Sequence, residues 1–138
     1  MDSGRLKHLE MIQQVITRMA NNSFLIKGWS LTLLAALLAL ALRDKIYQML
    51  WISIIPVTMF WILDSYFLRQ ERLFRKLYDK YRIQDQETRT DFSMDTSELN
   101  SVISSWLCTI FSTTLLIFHG TVFFIVIALS AYFHCRPV

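Results

Sequence analysis

The sequence predicts an all-α membrane protein. It has three transmembrane helices, with the N-terminus cytoplasmic and the C-terminus outside, an N-terminal amphipathic helix and a cytoplasmic helical extension. Three observations predict this. Three apolar runs are each long enough to cross a bilayer, helix formers dominate, and the positive charges are one-sided. Hydrophobic residues make up 54% of the 138 and charged residues only 18%, against about 25% charged in soluble domains. Three Gly and two Pro leave little room for linkers, and the length suits one domain.

Residues 1–23 read as an amphipathic helix. In "LKHLEMIQQVITRMANNSF", Leu9, Ile12, Ile16 and Met19 recur at helical spacing, while Gln13, Gln14, Thr17, Arg18 and Asn21 lie elsewhere on the wheel. This helix is expected on the inner leaflet or against the other cytoplasmic helices, with Asn21, Asn22 and Ser23 breaking it. The first span follows as Phe24–Leu42, uncharged from Gly28 onward; its length gives a rise of about 28 Å, close to a hydrocarbon core of about 30 Å. Ala39–Ala41 looks like a signal-peptide cleavage site, but a long polar segment precedes the run, so an uncleaved anchor is expected. Gly28, Thr32, Ala35 and Ala39 repeat at three or four residues, a small-residue pattern expected to pack closely on the second span.

The second span, Ile46–Leu68, completes a hairpin over residues 24–68 that turns near Asp44 and Lys45. Pro56 sits mid-span and predicts a kink there. Beyond Leu68 the helix continues without Gly or Pro into a basic extension. Phe67, Phe74, Tyr78 and Tyr81 share one side; Arg69, Arg72, Lys76 and Lys80 share another and are candidates for contact with lipid headgroups or a protein partner. Glu71 and Arg75 form a favourable i,i+4 pair. The sign then reverses: Asp85, Glu87, Asp91, Asp95 and Glu98 stand against Arg89 alone. Residues 69–105 therefore read as a basic helix and an acidic connector able to fold back on it or to bridge subunits. Asp95 and Glu98 in "DTSE" predict a capped helix start near Thr96.

Residues 106–138 hold the third span, Trp106–Phe133, too short for two crossings and long for one, so a tilted helix is expected. Lys and Arg set the orientation. Arg5, Lys7, Arg18, Lys27, Arg69, Arg72, Arg75, Lys76, Lys80, Arg82 and Arg89 fall on one side, and only Arg43, Lys45 and Arg136 on the other. Trp29, Trp61, Tyr66 and Trp106 are expected at the inner interface, and Tyr47, Trp51 and Tyr132 at the outer.

Ionisable residues in apolar spans are functional candidates by default. Lys27 and Asp64 each lie about 18 positions from the hairpin turn, so they reach similar depth and are expected to form an intramembrane ion pair. The alternative has Lys27 reaching the headgroups and Asp64 pairing with Arg69 or nearby backbone. His119 lies at the centre of the third span. Ser105, Ser112 and His119 recur every seven residues, with Thr109, Leu116 and Phe123 on the adjoining row. In a ring of helices these six are pore-lining candidates, with Leu116 and Phe123 as hydrophobic constrictions. The competing reading has the hydroxyls bonding their own helix and His119 bonding a neighbour.

No Gly-rich phosphate loop, nucleophile elbow or metal-ligand spacing is present, so no catalytic residues, metal or cofactor are expected. Cys108 and Cys135 fit no disulfide framework, although Cys135 is placed to pair between subunits. Acidic residues interleave the basic helix, so nucleic acid is not an expected partner.

Two stretches carry a resemblance: "MIQQVITRMANNSFLIKGWSLTL" (Met11–Leu33), and "FWILDSYFLRQERLFRKLYDKYR" (Phe60–Arg82) with "DFSMDTS" (Asp91–Ser97) downstream. The chain resembles a widespread family of small bacterial multi-span membrane proteins, and the resemblance spans nearly its whole length. It implies the bacterial inner membrane as location and transfers no catalytic residues. By analogy of architecture it implies a membrane effector of anti-phage defence. The expectation is a homo-oligomeric pore or membrane-disrupting effector in the lipid bilayer, gated through its cytoplasmic helices by a protein or signal partner. The alternative is a non-conducting adaptor that recruits or restrains a cytoplasmic protein.

Overall fold

The computed structural model describes residues 3–83 and 92–135. Those residues are helical with no strand, and three helices are long and apolar enough to cross a membrane: Ser3–Arg43, Gln48–Ile83 and Thr113–Cys135.

Helix α1, Ser3–Arg43, runs unbroken for 41 residues, roughly 60 Å at 1.5 Å per residue and about twice a hydrocarbon core. It continues straight through Asn21, Asn22 and Ser23, where a break is expected. The reason lies in the seam. Leu9, Ile12, Ile16, Ser23, Ile26 and Ser30 are buried and Met19 is half-buried, a three-four alternation that forms one continuous stripe. Ser23 therefore carries the seam onward instead of ending it.

The chain reverses at Asp44 and Lys45, where Lys45 takes a left-handed φ of 55°. Helix α2 (Gln48–Ile52) and helix α3 (Ile54–Ile83) return antiparallel to α1. Around Pro56 the helical hydrogen-bond pattern is interrupted at Ser53, three residues before it. Pro56 occupies the third position of α3, where its missing N–H costs no helical bond. Ser53, fully buried, donates its hydroxyl to the Leu50 carbonyl at 2.6 Å.

At the charged end of this hairpin, Ile12, Ile16 and Leu77 form a buried cluster flanked by Phe74, Tyr78, Tyr81, Met94 and Leu99. Arg5 donates to the carbonyls of Tyr81 and Arg82, both at 2.9 Å, at the end of α3. His8 is buried, with Nε2 3.1 Å from the Ser93 carbonyl and its ring edge-on to Tyr81 and Phe92. The connector is thus held onto the hairpin, helped by Lys80–Glu98 at 2.9 Å and Arg69 donating to Asn100 at 3.1 Å. Asp85, Glu87, Arg89 and Asp91 lie outside the described residues.

The expected helix start at Thr96 is only a 3₁₀ turn, Ser97–Ser101. Asp95 accepts from both the N–H and the hydroxyl of Ser97, and these two bonds hold its carboxyl below the usual carboxylate range. Glu98 does not close a capping box, because Lys80 takes its carboxylate.

The third span is not one tilted helix. Helix α4 (Trp106–Ile110) ends at Phe111, Ser112 is extended (ψ 146°), and the chain restarts as α5 (Thr113–Leu115), a π-turn (Leu116–Gly120) and α6 (Thr121–Cys135). The cause is visible at the break: the indole N–H of Trp61 on α3 takes the Ile110 carbonyl at 3.1 Å. Trp61, expected at an interface, is therefore half-buried between helices. Val57, Val122 and Val126, with Leu34, Ile54, Phe118 and Phe123, pack this apolar end. Its outward surface is also apolar, with Phe24, Trp29, Ile55, Met59, Ile117 and Phe124 all exposed.

The small residues Gly28, Thr32, Ala35 and Ala39 correct another expectation. All four are exposed, because the seam through Ser23, Ile26 and Ser30 already occupies the face toward α3. Two substitutions separate the faces. Ile12→Ala should cost about 2–5 kcal/mol, read as a lower thermal midpoint in detergent. Gly28→Ala, whose new methyl meets nothing within 4 Å, should leave the midpoint unchanged or raise it.

Candidate functional site

The α1 seam reaches its only lysine in the apolar region at Lys27, one helical turn beyond Ser23. Directly across, α3 presents Asp64, and the π-turn presents His119. Lys27 Nζ lies 2.6 Å from Asp64 Oδ2, and His119 Nε2 lies 2.8 Å from the same oxygen. Ser23 donates its hydroxyl to Asp64 Oδ1 and accepts from Lys27 Nζ at 2.8 Å. Asp64 and His119 are each 0% exposed, while the Lys27 side chain retains 22%. Four residues from three helical regions thus close a polar cluster in an apolar bundle.

Burying a carboxylate costs several kcal/mol even after relaxation, and the attraction of a partner offsets this only when the remaining lone pairs are also satisfied. Here Asp64 has an ammonium, an imidazole and a hydroxyl on its two oxygens. A carboxylate only accepts, so His119 Nε2 is the donor in this contact. Nδ1 is buried without a hydrogen-bond partner among the described residues. Around the cluster the walls are aromatic. The Trp61 ring stacks on His119 at 6.1 Å and 11°, Phe118 meets it edge-on at 5.0 Å, and Lys27 Nζ stands 6.0 Å above the Phe118 ring.

The π-turn is what aims His119. Each residue inserted into a helix rotates all downstream side chains by roughly 100°, and the extended Ser112 breaks the register upstream. The six pore-lining candidates therefore do not share one face. Ser105 is exposed and accepts from the Cys108 N–H at the start of α4. Thr109 is buried and bonds the Ser105 carbonyl at 3.2 Å. Ser112 Oγ is buried with no partner among the described residues. Leu116 is 41% exposed, His119 points to Asp64, and Phe123 is half-buried against Trp61. The even stripe on an unbroken helix is corrected to a divided set.

Of the four basic candidates, the structure commits Lys80 to Glu98 and Arg69 to Asn100, whereas Arg72 and Lys76 have no ionic or hydrogen-bonded partner among the described residues. Glu71 and Arg75 pair at 2.7 Å. Cys108 and Cys135 are exposed free thiols. No group of three or more His, Cys, Asp or Glu with metal-ligand geometry occurs among the described residues.

Sequence reasoning missed Ser23, Trp61 and His8. Ser23 was legible as the next step of the Leu9–Ile12–Ile16–Met19 pattern. Trp61 and His8 carried no local signal, since their partners lie 49 and 85 residues away. No protein-family model, curated protein or solved structure matches this chain.

The cluster makes a specific energetic demand. Asp64→Leu leaves the partly buried Lys27 without its counter-charge and should lower the unfolding midpoint. Removing both charges, in Lys27→Met with Asp64→Leu, should cost less than Asp64→Leu alone. Unfolding midpoints of the wild type, Lys27→Met, Asp64→Leu and the double variant in one detergent check this cycle.

Proposed function

We propose that this chain is a multi-pass inner-membrane protein with a cytoplasmic N-terminus and an outer C-terminus. In this reading it works in a homo-oligomer as a gated pore or membrane-disrupting effector, in which the Asp64 cluster locks the resting state. The observation that carries this reading is the cluster itself. A helix bundle that merely anchors needs no charge at this depth, and intramembrane ionisable residues mark ion pathways and proton relays. In the lock, His119, Lys27 and Asp64 are turned inward and neutralise one another. Opening exchanges those internal contacts for a polar path between helices.

The connectivity supports control from the cytoplasmic end. Helix α1 carries both the His8–Ile12 packing and the Ser23–Lys27 half of the lock. Helix α3 carries both Leu77 and Asp64. A partner that moves the charged end therefore pulls on two sides of the Asp64 cluster through rigid helices. The broken backbone at Ser112 and the π-turn supply the adjustable joint, since such irregularities at membrane depth are tolerated where protein buries them.

A second reading has one observation in its favour. The outward face of the third span exposes Ile117, Phe124 and Ile125, and the exposed Thr121 on it donates back to the Ile117 carbonyl of its own helix, as expected of a non-conducting adaptor whose spans only anchor a cytoplasmic module.

Membrane potential in cells expressing the chain separates the two. Asp64→Asn and His119→Gln, each confirmed as inserted, should depolarise cells that the wild type leaves polarised. Polarised cells for both variants would overturn the lock and favour the adaptor.

A further inference from the structure

The charged end holds a groove of about 360 Å³ between one side of α3 and the segment leading into the third span, lined by Arg72, Arg75, Lys76, Asp79, Ile103 and Ser104 together with Val102. Its charges do not balance. Arg75 is matched by Glu71, and Asp79 lies 3.6 Å from Arg82. Arg72 and Lys76 are left over, without a partner among the described residues. They stand four apart on one helix, close enough for like charges to repel. An anion seated between them removes that repulsion, and an arginine fork beside a lysine suits a phosphate oxygen pair.

The position of the groove names the source of the anion. Its far wall ends at Ser104, two residues before Trp106, and it includes the apolar side chains Val102 and Ile103. On α3, Arg72 lies about 9 Å beyond Tyr66 by helical rise, and Tyr66 and Trp106 are of the residue type that settles at the headgroup level. Resting on the membrane reading above, we infer that this groove binds the phosphodiester headgroup of an anionic phospholipid of the same leaflet. Arg72 and Lys76 hold the phosphate, and Val102 and Ile103 meet the lipid's glycerol and upper acyl region. The headgroup would tie α3 to the entry of the third span beside the Arg69–Asn100 and Lys80–Glu98 contacts.

The test is lipid retention by the purified full chain, measured by native mass spectrometry from detergent micelles doped with equal phosphatidylglycerol and phosphatidylcholine. Carbonate-resistant membrane insertion and thermal midpoints are checked first for every protein. The wild type should retain phosphatidylglycerol in preference, and Arg72→Gln with Lys76→Gln should lower that preference about tenfold or more, at roughly 1 kcal/mol per cation. Lys7→Gln with Arg18→Gln makes the same change in net charge away from the groove and should leave the preference intact. An equal loss in that control, or an unchanged preference in the groove variant, overturns the site. Displacement of the lipid by millimolar inorganic phosphate reassigns the groove to a soluble anion and overturns the lipid proposal. A chain that carbonate extracts overturns the membrane reading together with it.

Discussion

A single carboxylate without access to water organises the apolar half of this protein. Asp64 brings a full negative charge into a layer where the neighbouring side chains are Val, Ile, Leu and Phe, and no solvent remains to hydrate it. The structure answers with an ammonium and a hydroxyl from α1 and an imidazole from the π-turn. Each answer constrains backbone. Ser23 and Lys27 must face α3 one turn apart, so α1 must remain helical where its sequence reads Asn-Asn-Ser. His119 must turn inward, so the third span takes a π-turn instead of the regular path its composition favours. The π-turn at Leu116–Gly120 therefore goes with the site, because it is the segment that carries His119 to Asp64.

The same two long helices join this site to the charged end. The α1 seam passes without interruption from Leu9 to Ser30, apolar at the charged end and polar at Ser23, where it meets Asp64. Arg5 closes the end of α3, and His8 pins the connector. The molecule thus has two packed regions on one pair of long helices, and the Asp64 cluster is where separating those helices would expose charge.

Much of this was legible from residue order alone, and the reasons are local. The three apolar runs, the hairpin turn at Asp44 and Lys45, the amphipathic register of Leu9, Ile12 and Ile16, and the Glu71–Arg75 pair all rest on spacing within one helix. The approach of Lys27 to Asp64 followed from equal distance to the turn. The errors share one cause as well. The Asn21–Ser23 stretch and the small-residue row of Gly28 were read for their intrinsic tendencies, and each was overruled by what stood across the interface. The heptad stripe through Ser105, Ser112 and His119 assumed a helix without interruption, and the Trp61 indole removed that assumption by taking the Ile110 carbonyl.

The sequence by itself determined an all-helical chain with three segments long and apolar enough to cross a membrane, because hydrophobic length and helix propensity act residue by residue and need no partner. It also placed three ionisable residues within or at the edges of those segments. Only the tertiary structure decided that His119 shares Asp64 with Lys27, that Trp61 meets the third span at its break, and that Lys80 and Arg69 have partners among the described residues while Arg72 and Lys76 do not. Those outcomes depend on which side chains meet across helices that are dozens of residues apart in sequence. A buried charge takes whichever partner the packing brings within reach.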